Sequence, residues 1–483
     1  MSITTGTAAN LAGSVVPALV SLATVPLYIH LVGQERYGIL VLIWLLVGYF
    51  GFFDLGLGPA TTQRFARFAT ADDDARARVF WTAFLLSAAF GVLGGIVLWP
   101  LSELVLGAWV HLPPDLRVEA LGVVPWLAAS VPLLTVWPVL TGALQGREQF
   151  ALLNLAHVSG TTASQVAPLA VAILWGPDIR LLVPAVLVTR ALTCLVLLSL
   201  CRRYVPLRSV PVISRTLLRP LLSYGSWVTV SDLLGPLLAS LDQFFIGALA
   251  GTRAVTQYSV PSNLVSKVVI LPASLSSVLF PRLAAETPDG RGALVERALS
   301  GLSTVITPVI LAAMVGVRPF LGWWIGDEFA RDAATVGEII AVGLWLHGLA
   351  YVPCTLLLAR GQPDLVAKCH LLELPAYLAL LWTGLQFWGV IGAAVAWSLR
   401  VGIDAGLLFW LSRAELRRLT VLTPNVMLLL AMAVAVFALP SASHWRWALA
   451  TTVLATSAVW SWWSSAFHTG RFLSLRVPAR TGP

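Results

Sequence analysis

Charge is what this chain has least of. Lysine, arginine, aspartate and glutamate make up 11% of its 483 residues, against 58% hydrophobic residues and a mean hydropathy of +0.84. Soluble globular chains carry about 25% charged residues, so a set of independently soluble domains is excluded. Cysteine is scarce as well. Cys194, Cys201, Cys354 and Cys369 lie in or beside apolar segments with neither CxxC nor Cys/His ligand spacing, which excludes a disulfide framework and a structural zinc site. Long polar loops are missing too: none between apolar runs exceeds about 20 residues, whereas an independent domain needs roughly 50. That weighs against a membrane glycosyltransferase or ligase, whose chemistry usually sits in a sizeable loop. The acid run Asp72, Asp73, Asp74 offers clustered carboxylates, but flanking arginines make it a solvated surface rather than a metal site. Finally, no positive n-region precedes the first apolar run, so no cleaved signal peptide is expected and the first helix stays.

What is present is a succession of apolar runs, each near the ~20 residues needed to cross a bilayer. Fourteen are counted, at 8–30, 38–58, 80–102, 119–143, 151–175, 181–201, 221–249, 255–280, 298–323, 335–359, 366–387, 389–411, 425–440 and 446–468. The fold class is therefore an all-α polytopic membrane protein. Basic residues retained in short loops mark the cytoplasmic side. Even-numbered loops and the tail carry 21 lysines and arginines, and odd-numbered loops carry 6. Both termini are expected in the cytoplasm. The formal net charge of +8 follows from these loops and does not indicate nucleic acid.

The two halves of the chain resemble each other at a near-constant offset. Gly33 pairs with Gly251, Tyr37 with Tyr258, Gly146 with Gly361 and Pro59 with Pro281, at offsets of 218, 221, 215 and 222 residues. Two parallel six-helix repeats follow, with two helices appended. The expected organisation is an N-lobe over 1–205, a cytoplasmic linker over 206–220, a C-lobe over 221–412, and the last two helices with a cytoplasmic tail over 413–483.

Four cations lie inside apolar segments: Arg190, Lys267, Arg318 and Arg400. Arg190, Lys267 and Arg400 each fall 12 to 15 residues before a basic residue at the cytoplasmic boundary, roughly 18 to 22 Å at 1.5 Å per residue. Cations at mid-depth face a bundle interior or aqueous cavity, and three at one depth suit a phosphate or diphosphate. Arg190 and Arg400 are 210 residues apart, close to the repeat offset. Asp404, four residues after Arg400, offers that arginine a local partner instead. Arg318, near Trp323 and Trp324, is expected to snorkel to the outer interface.

The intramembrane acids are Asp54, Asp232, Asp242, Glu338, Glu373 and Asp404. His370 and Glu373 are spaced i, i+3 on one face, which suits a proton-accepting or cation-binding pair. His157 lies 213 residues before His370, and a histidine satisfied by a neighbouring hydroxyl is the structural alternative to such a role. Asp54 sits where span 2 meets Gly56, Gly58 and Pro59, read here as the cytoplasmic end of that helix. A gating role with Arg64 or Arg67 is expected of it, or a coupling-ion site. Prolines within spans, such as Pro17, Pro26, Pro132 and Pro138, suit helices that bend between two states.

Three segments, PLYIHLVGQERYGILVLIWLLVGYFGFFDLGLG, LDQFFIGALAGTRAVTQYSVPSNLVSKVVILPASLSSVLFPRLA and GVIGAAVAWSLR, resemble bacterial polysaccharide flippases. These are the Wzx-like polysaccharide transporter branch of the MOP superfamily. The resemblance implies two six-helix lobes around a central cavity plus two helices, in the bacterial cytoplasmic membrane. It implies translocation of an undecaprenyl-diphosphate-linked oligosaccharide by alternating access, with a polymerase and glycosyltransferases as partners. Arg190, Lys267 and Arg400 would then bind the diphosphate and sugars. Asp54, Asp242, His370, Glu373 and Asp404 are the candidates for coupling or gating. No cofactor is implied beyond a coupling H+ or Na+. A related exporter of peptidoglycan precursor or cationic drugs is the alternative, and a drug exporter would need a mainly acidic cavity.

Overall fold

The computed structural model describes residues 3–67, 73–147, 149–204, 240–412, 422–440 and 443–472, and among them the regular structure is helical throughout. The elements are α1 (Ile3–Val32), α2 (Gln34–Tyr49), α3 (Leu57–Arg67), α4 (Asp73–Leu104), α5 (Pro114–Gly122), α6 (Val124–Gln145), α7 (Phe150–Trp175), α8 (Ile179–Tyr204), α9 (240–250), α10 (Thr252–Val265), α11 (Ile270–Ala285), α12 (Pro288–Trp324), α13 (Asp327–Ala359), α14 (Pro363–Leu411), α15 (Thr423–Ala433) and α16 (His444–Phe472). Among the described residues eight helices are long and apolar enough to cross a membrane, and 19–32 and 423–438 are shorter apolar helices. One of the eight, α14, contains two of the expected spans, because it folds back at Gly389 (φ 56, ψ −137). The expected span 221–249 falls largely outside the described residues. Contacts divide the chain into two compact units, Met1–Thr256 and Gln257–Pro483.

In the first unit, close approach depends on missing side chains. A Cβ on Gly58 would stand 2.5 Å from Pro138 Cβ, and one on Gly95 would stand 2.6 Å from the Ala128 carbonyl oxygen. At the seam between α4 and α6, Ser87 Oγ donates to the Thr135 carbonyl and Thr135 Oγ1 donates to the Ser87 carbonyl, both at 2.8 Å. Gly160 of α7 meets Thr193 of α8, while the Cys194 and Cys201 thiols of α8 donate to the Leu133 and Leu140 carbonyls of α6. At the far end of these helices Arg36 grips Glu119 through two bonds of 2.9 and 2.6 Å. Glu119 also accepts the Ile179 amide at the start of α8. Between α7 and α8, hydrogen bonds from Arg180 hold the Asp178 carboxyl below the usual carboxylate range.

The stretch 50–67 differs from its reading as a helix end. Helix α2 stops at Tyr49 and a 3₁₀ turn covers Phe50–Asp54. Leu55 and Gly56 then take left-handed φ angles of 49° and 64°. Asp54 Oδ1 accepts the Gly56 amide at 2.8 Å, closing the turn. Pro59 therefore lies in the first turn of α3, where a missing N–H costs nothing, and does not terminate span 2.

The second unit packs α13 against α12 and α14. Gly337 meets Val317, Gly343 meets Ser398, and Gly348 meets Ile306. Two polar pairings cross between helices: Trp345 Nε1 donates to Thr307 Oγ1 at 2.9 Å, and Ser398 Oγ donates to the Ile339 carbonyl at 3.1 Å. Buried hydroxyls such as Thr307 and Thr355 donate to the carbonyl one turn back, at 2.6 Å in each case, the arrangement that satisfies a hydroxyl without water. Helices α15 and α16 dock on α12 through Asn425 Nδ2 to Ser303 Oγ and Ser461 Oγ to the Thr304 carbonyl.

Candidate functional site

The site begins with glycine. Gly389 adopts a backbone conformation open essentially to glycine alone, so α14 reverses there into two arms. Gly384 and Gly392 let the arms touch: a Cβ on Gly384 would stand 2.6 Å from the Gly392 carbonyl oxygen. In this register the first arm presents His370, Glu373 and Tyr377 on one face (i, i+3, i+7), and the second arm presents Arg400 and Asp404 (i, i+4).

The two arms meet through charge. Arg400 Nε lies 3.6 Å from Glu373 Oε2, and its guanidinium carbon lies 5.3 Å from the centre of the Tyr377 ring. His370 Nε2 lies 3.6 Å from Asp404 Oδ1. His347 of α13 lies within electrostatic reach of Asp404, Arg400 and His370. The carboxylates are nearly inaccessible, Glu373 at 5% exposure and Asp404 at 4%. At 3.6 Å both ion pairs exceed direct hydrogen-bond length. Among the described residues no donor stands at hydrogen-bond distance from either oxygen of Glu373 or from Asp404 Oδ1. Two buried carboxylates thus face one guanidinium and two imidazoles. With neutral histidines the cluster carries one negative charge in excess, which in a low-dielectric interior requires a proton or a cation.

This arrangement answers the question left open at Arg400. Its partner is Glu373, on the opposite arm, and Asp404 turns to His370. His370 and Glu373 are not a pair by themselves; each is completed from the second arm. Arg190, 210 residues before Arg400, is half-buried on α8 of the first unit and makes no ion pair among the described residues. It lies one turn before Cys194, on the side of α8 that packs on α6. Lys267 lies in a 3₁₀ turn (Ser266–Val269) between α10 and α11 of the second unit, with its side chain exposed. Asp242 is buried on α9, where its Oδ1 accepts the Gln243 amide. Asp54 serves the turn already described. Asp232 lies outside the described residues.

Arg318 does not snorkel. Its Nε and Nη2 reach the two oxygens of Glu338 at 3.2 and 3.3 Å, and Nη2 also donates to Thr335 Oγ1. Arg446 of α16 reaches the same carboxylate at 3.5 Å. Glu338 is 1% exposed, so the pull of a buried anion exceeds that of the interface. The partner lies 20 residues away across the Gly326 turn, a pairing that helical spacing does not indicate.

A family profile described as "Polysaccharide biosynthesis protein" matches residues 30–334. An O-antigen transporter of Shigella flexneri is 26% identical over 418 residues, 85% of this chain and 98% of the relative. Among solved structures, the lipid II flippase MurJ in an inward closed conformation superposes with a TM-score of 0.72 at 10% identity, over 97% of this chain and 100% of that one. An inward-facing multidrug MATE transporter of the MOP superfamily superposes with a TM-score of 0.68 at 17% identity, over 84% and 96%. At these identities the structural likeness concerns the fold.

Proposed function

The chain belongs to the polysaccharide biosynthesis protein family, matched over residues 30–334, and from that premise we propose that it is a transporter rather than an enzyme: a flippase for lipid-linked oligosaccharide in the bacterial cytoplasmic membrane. The observation that carries the reading is the match to an O-antigen transporter over 98% of that relative's length. The substrate is an undecaprenyl-diphosphate-linked oligosaccharide, moved to the outer leaflet by alternating access. Arg190 contributes the diphosphate contact on the first unit, and Lys267 contributes an exposed cation on the second. Polymerase and glycosyltransferases supply and consume the substrate.

Arg400 has a different part. Its charge is already met by Glu373, so it belongs to the coupling machinery with His370, Glu373 and Asp404. The excess negative charge of that cluster is balanced by a proton or Na+ taken up on one side and released on the other. Transport changes the access of the cluster to the two aqueous phases, and the driving gradient is spent there.

The test is deletion with complementation. A strain lacking the protein should accumulate lipid-linked oligosaccharide on the inner leaflet and lose surface glycan, and the wild-type chain should restore it. Undiminished surface glycan in the deletion strain would overturn the reading, as would formation of a new glycosidic bond by the purified protein with sugar nucleotide and lipid acceptor.

A further inference from the structure

The second unit holds another buried charge cluster, and its balance is the reverse of the one on α14. Glu338 of α13 meets two cations from neighbouring helices. Arg318 of α12 approaches it with Nε and Nη2, at 3.2 and 3.3 Å from the two carboxylate oxygens, and Arg446 of α16 stands 3.5 Å from Oε1. One carboxylate therefore serves two guanidiniums. The cluster carries one positive charge in excess, and an excess charge drawn out of water calls for a counter-ion.

Its donors are in excess as well. A guanidinium carries five N–H groups. Arg318 commits three of them, two to Glu338 and one to Thr335 Oγ1, and Arg446 commits one, at Nη2. Among the described residues no acceptor meets Nη1 of either arginine or Nε of Arg446. The Arg318 side chain is 27% exposed and that of Arg446 9%, so an anion reaches the pair from the Arg318 side. Both arginines lie near helix ends marked by exposed tryptophans: Trp323 lies five residues after Arg318 at the end of α12, and Trp445 and Trp447 flank Arg446 at the start of α16. Exposed tryptophans at such ends sit at headgroup depth, which is where the phosphates of the bilayer are.

We propose that Arg318 and Arg446 together bind the phosphodiester of an anionic glycerophospholipid at the bilayer interface. The phosphate takes the uncommitted N–H groups, and with Glu338 it balances the two guanidiniums. A headgroup with a cation of its own cannot supply that balance. The acyl chains stay in the bilayer beside the exposed tryptophans, where a free phosphate would gain nothing. The bound lipid joins α12 to α16 through their arginines and so fastens the last helix to the packed helices of this unit, away from Glu373 and Arg400.

Purified full-length protein would be titrated in detergent with phosphatidylglycerol, phosphatidylcholine, undecaprenyl phosphate and inorganic phosphate, with retained lipid read by native mass spectrometry. Phosphatidylglycerol should bind about tenfold more tightly than phosphatidylcholine, because only the former leaves the excess charge neutralised. Arg446→Gln and Arg318→Gln each leave one arginine for one carboxylate, so each variant should lose that preference; Arg446→Lys should keep part of it. Arg331→Gln, at an exposed arginine of α13 outside the cluster, should change nothing. Equal binding of the two phospholipids by the wild-type chain, or wild-type preference in either glutamine variant, would overturn the proposal. So would a loss in Arg331→Gln as large as in Arg446→Gln, or full displacement by inorganic phosphate or undecaprenyl phosphate at matched concentration. Binding is read without transport, so its failure is distinguishable from failure of the flippase reading.

Discussion

Arg190 and Arg400 are alike in sequence position and opposite in environment. Arg400 stands against Glu373 and over Tyr377, whereas Arg190 has no carboxylate at ion-pair distance among the described residues. Removing Arg400 leaves the anions of the cluster uncompensated in a buried site, a loss of the kind that costs about 3–5 kcal/mol. Arg400→Gln should therefore lower the melting temperature of the purified protein, and Arg400→Gln with Glu373→Gln should recover much of the loss; additive losses would show that the pair is not coupled. Arg190→Gln instead removes a half-buried cation that has no ion pair among the described residues. It should leave the melting temperature unchanged or higher while surface glycan is lost, and retained glycan export in that variant would remove Arg190 from the substrate contacts.

At the scale of the element, α14 is a single stretch of apolar sequence turned into two arms by one backbone conformation. At φ 56° and ψ −137°, Gly389 is in a region that costs a side-chain-bearing residue about 1–3 kcal/mol. Gly389→Ala should destabilise the protein by about that amount. Gly384→Val should do more, because its side chain would enter the Gly392 backbone and part Glu373 from Arg400. Melting curves of both variants check the order, and an unchanged melting temperature in Gly384→Val would contradict the close seam. Glycine also bears on the repeat. Gly33 and Gly251, paired by offset, share left-handed φ angles of 88° and 82°. Gly176 (φ 100°) and Gly389 make a further pair at offset 213 that the sequence comparison missed. Gly146 and Gly361 differ, at φ −64° and 73°, so that pair matches in sequence and not in backbone.

At the scale of the whole molecule, the charge distribution makes a prediction about orientation. Single cysteines placed near Arg331 and near Arg291 in a cysteine-free background should label from opposite sides of the membrane, with Arg291 cytoplasmic; labelling of both from one side would overturn the assignment of the termini. The coupling reading makes another. If the α14 cluster takes a proton, collapsing the proton gradient should stop oligosaccharide translocation in inside-out vesicles at constant sodium. If it takes Na+, sodium removal should do so instead. Translocation insensitive to both would exclude the cluster from coupling.

The sequence by itself determined the membrane character, the helical class, the repeat and the identity of the polar residues set into apolar helices. Hydropathy and charge patterning are local properties, and a bilayer leaves few folds that satisfy the backbone. Helix ends were less legible: span 2 breaks at Tyr49 because a 3₁₀ turn and a left-handed Leu55–Gly56 pair intervene, and Pro59 begins the next helix. Which charge meets which was decided only in three dimensions. Arg400 meets Glu373 rather than Asp404, and Arg318 and Arg446 share Glu338 from 20 and 108 residues away. Helical spacing can offer a partner one turn along the same helix. A buried charge takes the partner that packing brings closest, and packing here is set by where glycines let helices touch.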